Sequence, residues 1–301
     1  MKVTMQVYNE KQDFCLKNTA VTLGKFDGVH IGHQKLISAI LEEKEKNGYE
    51  TVLFSFDTSV IRQQNSLTTK KERMLLGEEL GIEHMILYPV NPDTMAIEPE
   101  AFIRDILVGR LGAKVVVTGK DFCFGKGRRG NVEMLQKYAG PCGYRLKVVP
   151  NVTMDGERVS SSNIKVAIRE GRMEDAAFML GHPYFVYGAV VRGNQVGRTM
   201  DARTVNVIPG ENKVLMPNGV YKTGIIIDGV RYKSVTNVGF CPTVRADDRI
   251  TIETNVFNFD RDIYDTEVKI EFERFMREER KFATLDELKQ QILLDISQAN
   301  L

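Results

Sequence analysis

Residues 21–33 read Val21-Thr-Leu-Gly-Lys-Phe-Asp-Gly-Val-His-Ile-Gly-His33, and this stretch decides the fold of the first half of the chain. The apolar and β-branched residues before Gly24 predict a buried strand, and apolar residues at 36, 37, 40 and 41 predict an amphipathic helix after the turn. A glycine-rich turn between a strand and a helix points backbone N–H groups and the positive end of the helix dipole at an anion. The stretch therefore predicts a phosphate site, with His30 and His33 as hydrogen-bond donors on one side of the first helical turn.

Two other interpretations of this histidine pair stay open. The pair resembles half of a zinc site, although no cysteine or carboxylate follows at a matching spacing. Both histidines are also compatible with simple helix-start residues, but the chain has only 4 histidines, and these two lie beside three glycines and a turn aspartate. The stretch has neither a Walker nor a Gly-x-Gly-x-x-Gly pattern, so phosphate-loop kinases and dinucleotide oxidoreductases are poorly supported.

Composition indicates a soluble globular protein with two domains of ordinary size, because the chain has 301 residues, 43% hydrophobic and 27% charged. A net charge of +1 gives no electrostatic reason to expect nucleic acid or an anionic membrane as a partner. The cysteines, at 15, 123, 142 and 241, lack paired spacing, which predicts reduced thiols and a cytoplasmic protein. No apolar run approaches membrane-spanning length, so we expect no membrane partner. The expected partners are small molecules, and the oligomeric state is left open.

Up to residue 149, short apolar runs alternate with helical patterns. Helices are predicted near 32–46, 69–80, 99–110 and 131–139, with Thr69-x-x-Glu72 as a capping box and Asn47-Gly48 as a helix end. Strands are predicted at Ala20–Leu23, Thr51–Phe56, Met85–Tyr88, Lys114–Thr118 and Arg145–Val149. This alternation predicts a parallel, doubly wound sheet, whose ligands bind beyond the carboxyl ends of the strands, where Gly24–His33 would lie.

Two further stretches have the composition of ligand loops. Gly119–Gly130 is glycine-rich, and Asp121, Phe122 and Phe124 in it would hold a planar polar ligand; the alternative is a surface loop with solvated cations. The second stretch is Val159-Ser-Ser-Ser-Asn-Ile-Lys165, before a helix predicted at 164–169. Its serines are compatible both with helix capping and with phosphate binding.

After residue 183 the pattern changes to alternating strands. Asp228-Gly229 is a tight-hairpin signal, and the segments together predict a small antiparallel barrel. A last helix begins at Thr284 with Thr284-x-x-Glu287 as a capping box, and Leu285, Leu288, Ile292 and Ile296 would pack on the barrel. We predict domains at 1–183 and 184–301. The strands are predicted at Tyr184–Arg192, Thr204–Ile208, Val220–Ile227, Val230–Val238, Ile250–Phe259 and Glu267–Phe275.

An ordered series of motifs resembles the bacterial bifunctional riboflavin kinase/FAD synthetases over nearly the whole chain. Such a series is far more specific than any one motif. The resemblance implies a Rossmann-like nucleotidyltransferase domain followed by a riboflavin kinase-like β-barrel with a C-terminal helix. The motifs are Gly24-x-Phe-Asp-Gly-Val-His-x-Gly-His33, Gly119-x-Asp-Phe-x-Phe-Gly125, Val159-Ser-Ser-Ser-x-Ile-Lys165, Ala176–Tyr184, Pro217-x-Gly-Val-Tyr221, Asn237-x-Gly-x-x-Pro-Thr243, Asp260-x-Asp-Ile-Tyr264 and Arg277-x-Glu-x-Lys-Phe282.

For the first half, the resemblance implies FMN + ATP → FAD + pyrophosphate with Mg²⁺. Catalysis of this transfer is mostly positioning and neutralisation of charge on the phosphate oxygens. We expect His30 and His33 to be catalytic. The resemblance further implies ATP binding by Gly24, Phe26, Asp27, Gly28, Gly32, Ser161, Ser162 and Lys165, and flavin binding by Asp121, Phe122, Phe124 and Gly125.

For the second half, the resemblance implies riboflavin + ATP → FMN + ADP. Thr204 and Asn206 match the threonine and asparagine with which the family binds Mg-ATP, and Glu253 matches its general base for the ribityl hydroxyl.

Several positions depart from the family pattern. Asp201-Ala-Arg203 replaces Gly-Phe-Pro in the kinase loop, Asn255 replaces a histidine and Asp265 replaces a glycine. In the first half, Thr58-Ser-Val60 replaces Pro-His-Pro and Lys165 replaces an arginine. These changes predict an FAD synthetase whose kinase-like module is weakened or inactive. Full bifunctionality is the alternative, and a non-catalytic flavin- or nucleotide-binding regulator is the third hypothesis.

Overall fold

The computed structural model describes residues 4–9, 14–58, 66–154, 156–192, 204–240 and 250–300. Positions 59, 60, 201–203 and 241–243, which entered the sequence predictions, lie outside the described residues. The chain divides into two compact units, Met1–Ser160 and Ser161–Leu301. This division places residues 161–183, which the sequence analysis assigned to the first domain, in the second unit. The domain boundary at 183/184 stays a prediction.

The first unit contains a parallel sheet of six strands in the order β1-β4-β3-β2-β5-β8, which confirms the doubly wound sheet and all five of its predicted strands. Strand β1 was not predicted, because it has 4 residues and none of them is buried. The strands are β1 (Gln6–Asn9), β2 (Thr19–Gly24), β3 (Glu50–Asp57), β4 (His84–Pro89), β5 (Ala113–Gly119), β6 (Cys123–Phe124), β7 (Gly130–Asn131), β8 (Arg145–Val149), β9 (Thr153–Met154) and β10 (Glu157–Arg158).

Helices follow the strands as predicted. The third predicted helix is irregular, because it begins as α4 and continues as a π-helix over Phe102–Arg110. The Thr69 capping box is confirmed, since its hydroxyl accepts from the Glu72 N–H and the Glu72 carboxylate accepts from the Thr69 N–H. Gly48 ends the first helix with φ 69°. The helices are α1 (Ile31–Asn47), α2 (Lys70–Glu79), α3 (Pro92–Met95), α4 (Pro99–Ala101) and α5 (Val132–Cys142).

Strand β2 lies inside the sheet, between β3 and β5, and is buried over all but its last residue. The chain proceeds from β2 to β3 on one side, and β5 pairs on the other side, so the end of β2 lies where the strand order reverses. Ligands of open parallel sheets bind at such a point. The fold therefore places the Gly24–His33 turn at the expected ligand edge.

The second unit contains the predicted barrel, which is closed in the order β11-β12-β15-β14-β13-β16. Asp228 and Gly229 have φ values of 51° and 79°, as a tight primed hairpin requires. Helix α7 contacts α6 and two barrel strands. The elements are α6 (Ser161–Arg169), α7 (Met173–Leu180), β11 (Tyr184–Val191), β12 (Thr204–Val207), β13 (Gly219–Ile227), β14 (Val230–Phe240), β15 (Ile250–Val256), β16 (Glu267–Arg277) and α8 (Leu285–Asn300).

The predicted capping box of α8 is only half present. The Glu287 N–H donates to the Thr284 hydroxyl at 3.2 Å, as predicted. The Glu287 carboxylate, however, accepts from the Ala283 N–H at 3.0 Å, one residue earlier than a capping box requires.

The cap of α2 gives a stability prediction. We expect Thr69→Ala to lower the free energy of unfolding by about 1 kcal/mol, because an N–H at the start of the helix loses its acceptor. Urea unfolding measures the change, and Thr69→Ser, which keeps the hydroxyl, is the matched control. Equal stability of wild type and Thr69→Ala would show that the cap does not stabilise this helix.

Candidate functional site

The turn after β2 has an unusual backbone. Phe26 and Val29 have φ values of 50° and 43°, in the left-handed region that residues other than glycine rarely adopt. Gly28 has a φ of 83°. Phe26 and Val29 are also fully buried, with 0% and 1% of their surface exposed. The turn is therefore compact, and its two apolar side chains belong to the core.

The segment just before α2 holds this turn in place. The Asp27 carboxylate accepts hydrogen bonds from the backbone N–H groups of Leu67, at 2.7 Å, and Thr68, at 3.2 Å. The Gly28 N–H donates to the Thr68 hydroxyl at 3.1 Å. Asp27 was predicted to bind ATP, but here its carboxylate fastens the turn to a segment forty residues away.

The two histidines of the turn lie side by side. Their rings are stacked with centroids 3.7 Å apart and planes 21° apart, which confirms that they share one side of the helix start. The His33 ring also contacts Phe26, with centroids 5.0 Å apart. A Cβ on Gly32 would lie 3.1 Å from the His30 ring, and one on Gly24 would lie 3.2 Å from the Phe26 ring. These glycines therefore leave room for the rings.

Both imidazoles are held in the neutral form. Burial lowers the pKa of His30 to about 4; the charge of Asp27 opposes this shift and that of Arg158 adds to it. Burial also lowers the pKa of His33 well below its usual value, and the neighbouring His30 and Arg73 lower it further. In the part of the chain that the structure describes, the Nδ1 atoms of both rings are buried without a hydrogen-bond partner. Buried polar atoms normally have a partner, so this pair has the chemistry of a ligand site.

A zinc site at these histidines lacks further ligands. Within the described ranges, no group of three or more histidine, cysteine or acidic side chains is arranged to hold a metal ion. The thiols of Cys15, Cys123 and Cys142 are free.

The predicted flavin loop contains an exposed polar group and a buried aromatic one. Asn151 donates to the Asp121 carboxylate at 2.8 Å, and this hydrogen bond together with the nearby Arg158 charge lowers the pKa of Asp121. Arg158 also forms an ion pair with Asp121. The Phe122 and Phe124 rings are stacked with centroids 5.7 Å apart.

Phe124 differs from its predicted role as a stacking surface for a ligand. It is 3% exposed, and its ring packs against Phe102 with centroids 5.3 Å apart, so it belongs to the core. Phe122 is the partly exposed ring of the pair. Gly125, with φ 68°, approaches Pro99 so closely that a Cβ would lie 2.8 Å from its ring.

The serine stretch lies at the beginning of α6 in the second unit. The helix starts at Ser161, three residues earlier than predicted, so Ser161 and Ser162 lie in its first turn and Lys165 in the next. The predicted role of these residues in ATP binding stays a prediction.

The predicted kinase residues come together on one outer face of the barrel. In the strand pairing, Asn206 lies opposite Glu253, and Thr204 lies opposite Asn255. Glu253 also pairs with Asn237 on its other side. Directly opposite residues of antiparallel strands point to the same face, so their side chains form one polar patch. Most of this patch lines a cavity of about 280 Å³, whose lining includes Thr204, Asn237, Glu253, Asn255, Arg277, Phe282, Leu288, Ile292, Asp295 and Ile296.

Helix α8 closes this cavity through a buried ion pair. Arg277 donates to both carboxylate oxygens of Asp295, at 3.0 and 2.7 Å, and Gln291 donates to the same carboxylate at 2.8 Å. Asp295 is 3% exposed. Sequence reasoning missed this anchor, although a charged residue in the apolar stripe of α8 was a usable signal.

Sequence reasoning also missed a polar network behind the histidine turn. The Arg73 guanidinium donates to the Ser55 hydroxyl at 2.9 Å, and the Ser55 hydroxyl donates to the Lys25 carbonyl at 3.1 Å. Asp57 is buried and pairs with Lys70 at 2.7 Å. The available signal was the position of Ser55 and Asp57 at the carboxyl end of β3, where site residues of parallel sheets lie.

The fold and both sites define a nucleotidyltransferase-like α/β unit followed by a kinase-like barrel, and comparisons with known proteins agree. The FAD synthetase family model matches residues 13–163, and the riboflavin kinase model matches residues 180–301. The chain belongs to the family of bifunctional riboflavin kinase/FMN adenylyltransferases. Curated relatives of that name include those of Bacillus subtilis (32% identity, covering 93% of this chain and 91% of the relative) and Escherichia coli K12 (30%, 98% and 96%).

A solved structure described as a macrolide-efflux protein from Streptococcus pneumoniae has a similar fold throughout. Its TM-score is 0.85 at 25% identity, with 98% of this chain and 99% of that chain covered. Among the helices described for this chain, none has the length and apolarity needed to cross a membrane.

The comparisons do not support a weakened kinase module. The riboflavin kinase model matches residues 180–301, which include all strands of the closed barrel, and both relatives are named as bifunctional. Thr204, Asn206 and Glu253 share one face of the barrel. Asp265, at a position where the family has glycine, adopts φ 62° and its N–H donates to Val190 at 3.1 Å.

The neutral histidines predict a dependence of stability on pH. The pKa of His30 is about 4 in the folded chain, and the usual value is about 6.5, so the unfolded state binds more protons between these limits. The contribution of neutral His30 to the free energy of unfolding is therefore complete above about pH 6.5. It decreases as the pH falls toward 4, by an amount on the order of 3 kcal/mol. We expect His30→Gln to remove this part of the pH dependence in unfolding measurements.

The same histidine can be observed directly by NMR. We expect the His30 ring resonances, assigned with the His30→Gln variant, to titrate with a midpoint near 4. A midpoint at 6 or above would contradict burial in the neutral form.

Proposed function

We propose that this chain is fully bifunctional and makes FAD from riboflavin in two steps. The second unit would phosphorylate riboflavin with ATP to give FMN and ADP. The first unit would transfer AMP from a second ATP to FMN, giving FAD and pyrophosphate. The observation that carries the adenylyl transfer is the stacked pair of neutral imidazoles with orphaned ring nitrogens at the ligand edge of the sheet. The phosphorylation is supported by the position of Thr204, Asn206 and Glu253 on one face of the barrel. The names of the relatives support both activities.

In the adenylyl transfer, a phosphate oxygen of FMN attacks the α-phosphorus of ATP while the bond to pyrophosphate breaks. The leaving group gains negative charge, so donors already in place lower the barrier. His30 and His33 would donate hydrogen bonds to the phosphate oxygens, helped by backbone N–H groups at the start of α1. Both rings are neutral in the free protein and can therefore take up a proton. The negative charge of a bound polyphosphate would raise their pKa and favour this uptake.

The remaining residues of the first reaction are proposed as binding groups. Gly24, Gly28 and Gly32 would permit a close approach of the triphosphate, whereas Asp27 and Phe26 would maintain the shape of the turn. Ser161, Ser162 and Lys165 are proposed to bind ATP phosphates. Asp121 and Phe122 would hold FMN, and Phe124 and Gly125 would support their loop from the core.

In the kinase reaction, Glu253 would accept the proton of the terminal ribityl hydroxyl, whose oxygen attacks the γ-phosphorus of ATP as ADP leaves. The side chains near Glu253 offer hydroxyl, amide and carboxylate oxygens, which are the ligands that Mg²⁺ prefers. Thr204 and Asn206 would hold this ion with ATP, and its charge would offset that of the phosphates.

A paired assay tests the proposal. Purified protein is incubated with ATP and Mg²⁺, in one sample with riboflavin and in another with FMN, and the flavins are separated. We expect FMN and then FAD from riboflavin, and FAD from FMN. Absence of FMN formation from riboflavin would overturn bifunctionality, and absence of FAD in both samples would overturn the role of the first unit.

The histidine pair gives a mutational test of the first reaction. We expect His30→Ala with His33→Ala to lower kcat for FAD formation by at least about a hundredfold, since two donors to developing charge are lost. Riboflavin phosphorylation by the same variant is the folding control and is expected to remain. Unchanged FAD formation would exclude these rings from catalysis.

Glu253→Gln gives the complementary test. We expect it to lower kcat for riboflavin phosphorylation by about a hundredfold or more, because an amide does not accept the proton. FAD formation from FMN should be unaffected. Equal loss of both reactions would mean that the substitution acts on the fold and not on proton transfer.

A further inference from the structure

Arg73 is a buried cation that no established part of either reaction uses. It lies in the first turn of α2 and is 5% exposed. Its guanidinium donates a hydrogen bond to a neutral hydroxyl, that of Ser55, and its Nε atom is buried without a partner in the described part of the chain. Burial of an ion is costly when its pairing is incomplete, so an arginine here calls for an explanation.

Two carboxylates act on the charge of Arg73, that of Asp27 in the turn after β2 and that of Asp57 at the end of β3. Asp27 and Asp57 counter the lowering of the Arg73 pKa that burial causes, and the guanidinium keeps its proton. Asp27 is already bonded to two backbone N–H groups, and Asp57 is paired with Lys70. The two carboxylates whose charge favours the protonated guanidinium therefore have other hydrogen-bond or ion-pair partners.

Arg73 also acts on the turn in two ways. Through Ser55, whose hydroxyl donates to the Lys25 carbonyl at 3.1 Å, it is linked to the backbone where the turn begins. Its charge is close enough to His33 to lower the pKa of that imidazole. In a buried setting such a charge raises the electrostatic potential more strongly than it would in water.

We propose that Arg73 is a positioning residue for adenylyl transfer, which supplies the permanent positive charge behind the neutral imidazole pair and fixes the start of the turn through Ser55. This inference rests on the proposed function of the first unit. The imidazoles supply directed hydrogen bonds, and the guanidinium, which stays protonated at every working pH, supplies the potential that attracts a polyphosphate.

The test compares Arg73→Met with Arg73→Lys. We expect Arg73→Met to raise the His33 pKa, measured by NMR in the protein without ligand, by about one unit. It should also lower kcat for FAD formation by about tenfold, less than loss of a direct donor, because the charge acts from behind the rings. Arg73→Lys keeps the charge and should restore both the imidazole pKa and most of kcat.

Two controls separate charge from folding. Lys71→Met removes an exposed cation from the same helical turn and should change neither value. Ser55→Ala removes the hydroxyl but keeps the guanidinium. We therefore expect kcat to fall while the His33 pKa remains at its wild-type value. If Arg73→Met does not fold, Arg73→Gln, which keeps a donor toward Ser55, carries the same expectation.

Two results would overturn the proposal. One is an imidazole pKa that does not move in Arg73→Met or Arg73→Gln, and the other is an Arg73→Lys variant as impaired as Arg73→Met. The NMR measurement requires no turnover. A wild-type protein that forms no FAD would thus overturn the proposed function, while the imidazole shift would still decide the electrostatic role of Arg73.

Discussion

The candidate site of the first unit depends on one interaction, in which the Asp27 carboxylate accepts hydrogen bonds from the backbone N–H groups of residues 67 and 68. Left-handed backbone at Phe26 and Val29 costs on the order of 1–3 kcal/mol each and persists only where surrounding structure enforces it. A carboxylate that accepts two N–H groups forms strong, charge-assisted bonds and offsets such a cost. The shape that stacks His30 on His33 thus depends on the residues just before α2, a segment distant in sequence.

This construction also determines the charge of the site. A turn that buries Phe26 and Val29 excludes water from the adjacent rings, and desolvation keeps both imidazoles neutral. A neutral donor binds a polyphosphate more weakly than a cation does, but it costs less to bury before the ligand arrives. The fixed cation therefore lies elsewhere, on an arginine that does not lose its proton. Division of directed bonds and permanent charge between different residues follows from the low dielectric of the site.

The sequence predicted the parts of the fold that depend on local pattern. Five core strands, the Thr69 cap and the Asp228-Gly229 hairpin were all readable, because apolar periodicity and turn chemistry act over a few residues. The hydrogen bonds between Arg73 and Ser55 and between Leu67 and Asp27 could not be predicted from the sequence, since they join segments that meet only in the folded protein. Phe124 shows the same limit: an aromatic residue in a glycine-rich loop has one sequence signature, whether its ring faces a ligand or the core.

In the second unit, two residues that depart from the family motif still fit the local backbone and the strand register. Asp265 replaces a family glycine, yet aspartate is among the residues that most readily adopt a left-handed backbone, and its φ of 62° is of this kind. Asn255 replaces a histidine, but it lies opposite Thr204 on the face that carries Glu253. The kinase chemistry proposed above requires a carboxylate beside oxygen donors on one face, and the strand register places Glu253, Thr204 and Asn206 on one face. Because register is set by the alternating barrel core of β12, β14 and β15, the polar face survives changes in the residues between its members.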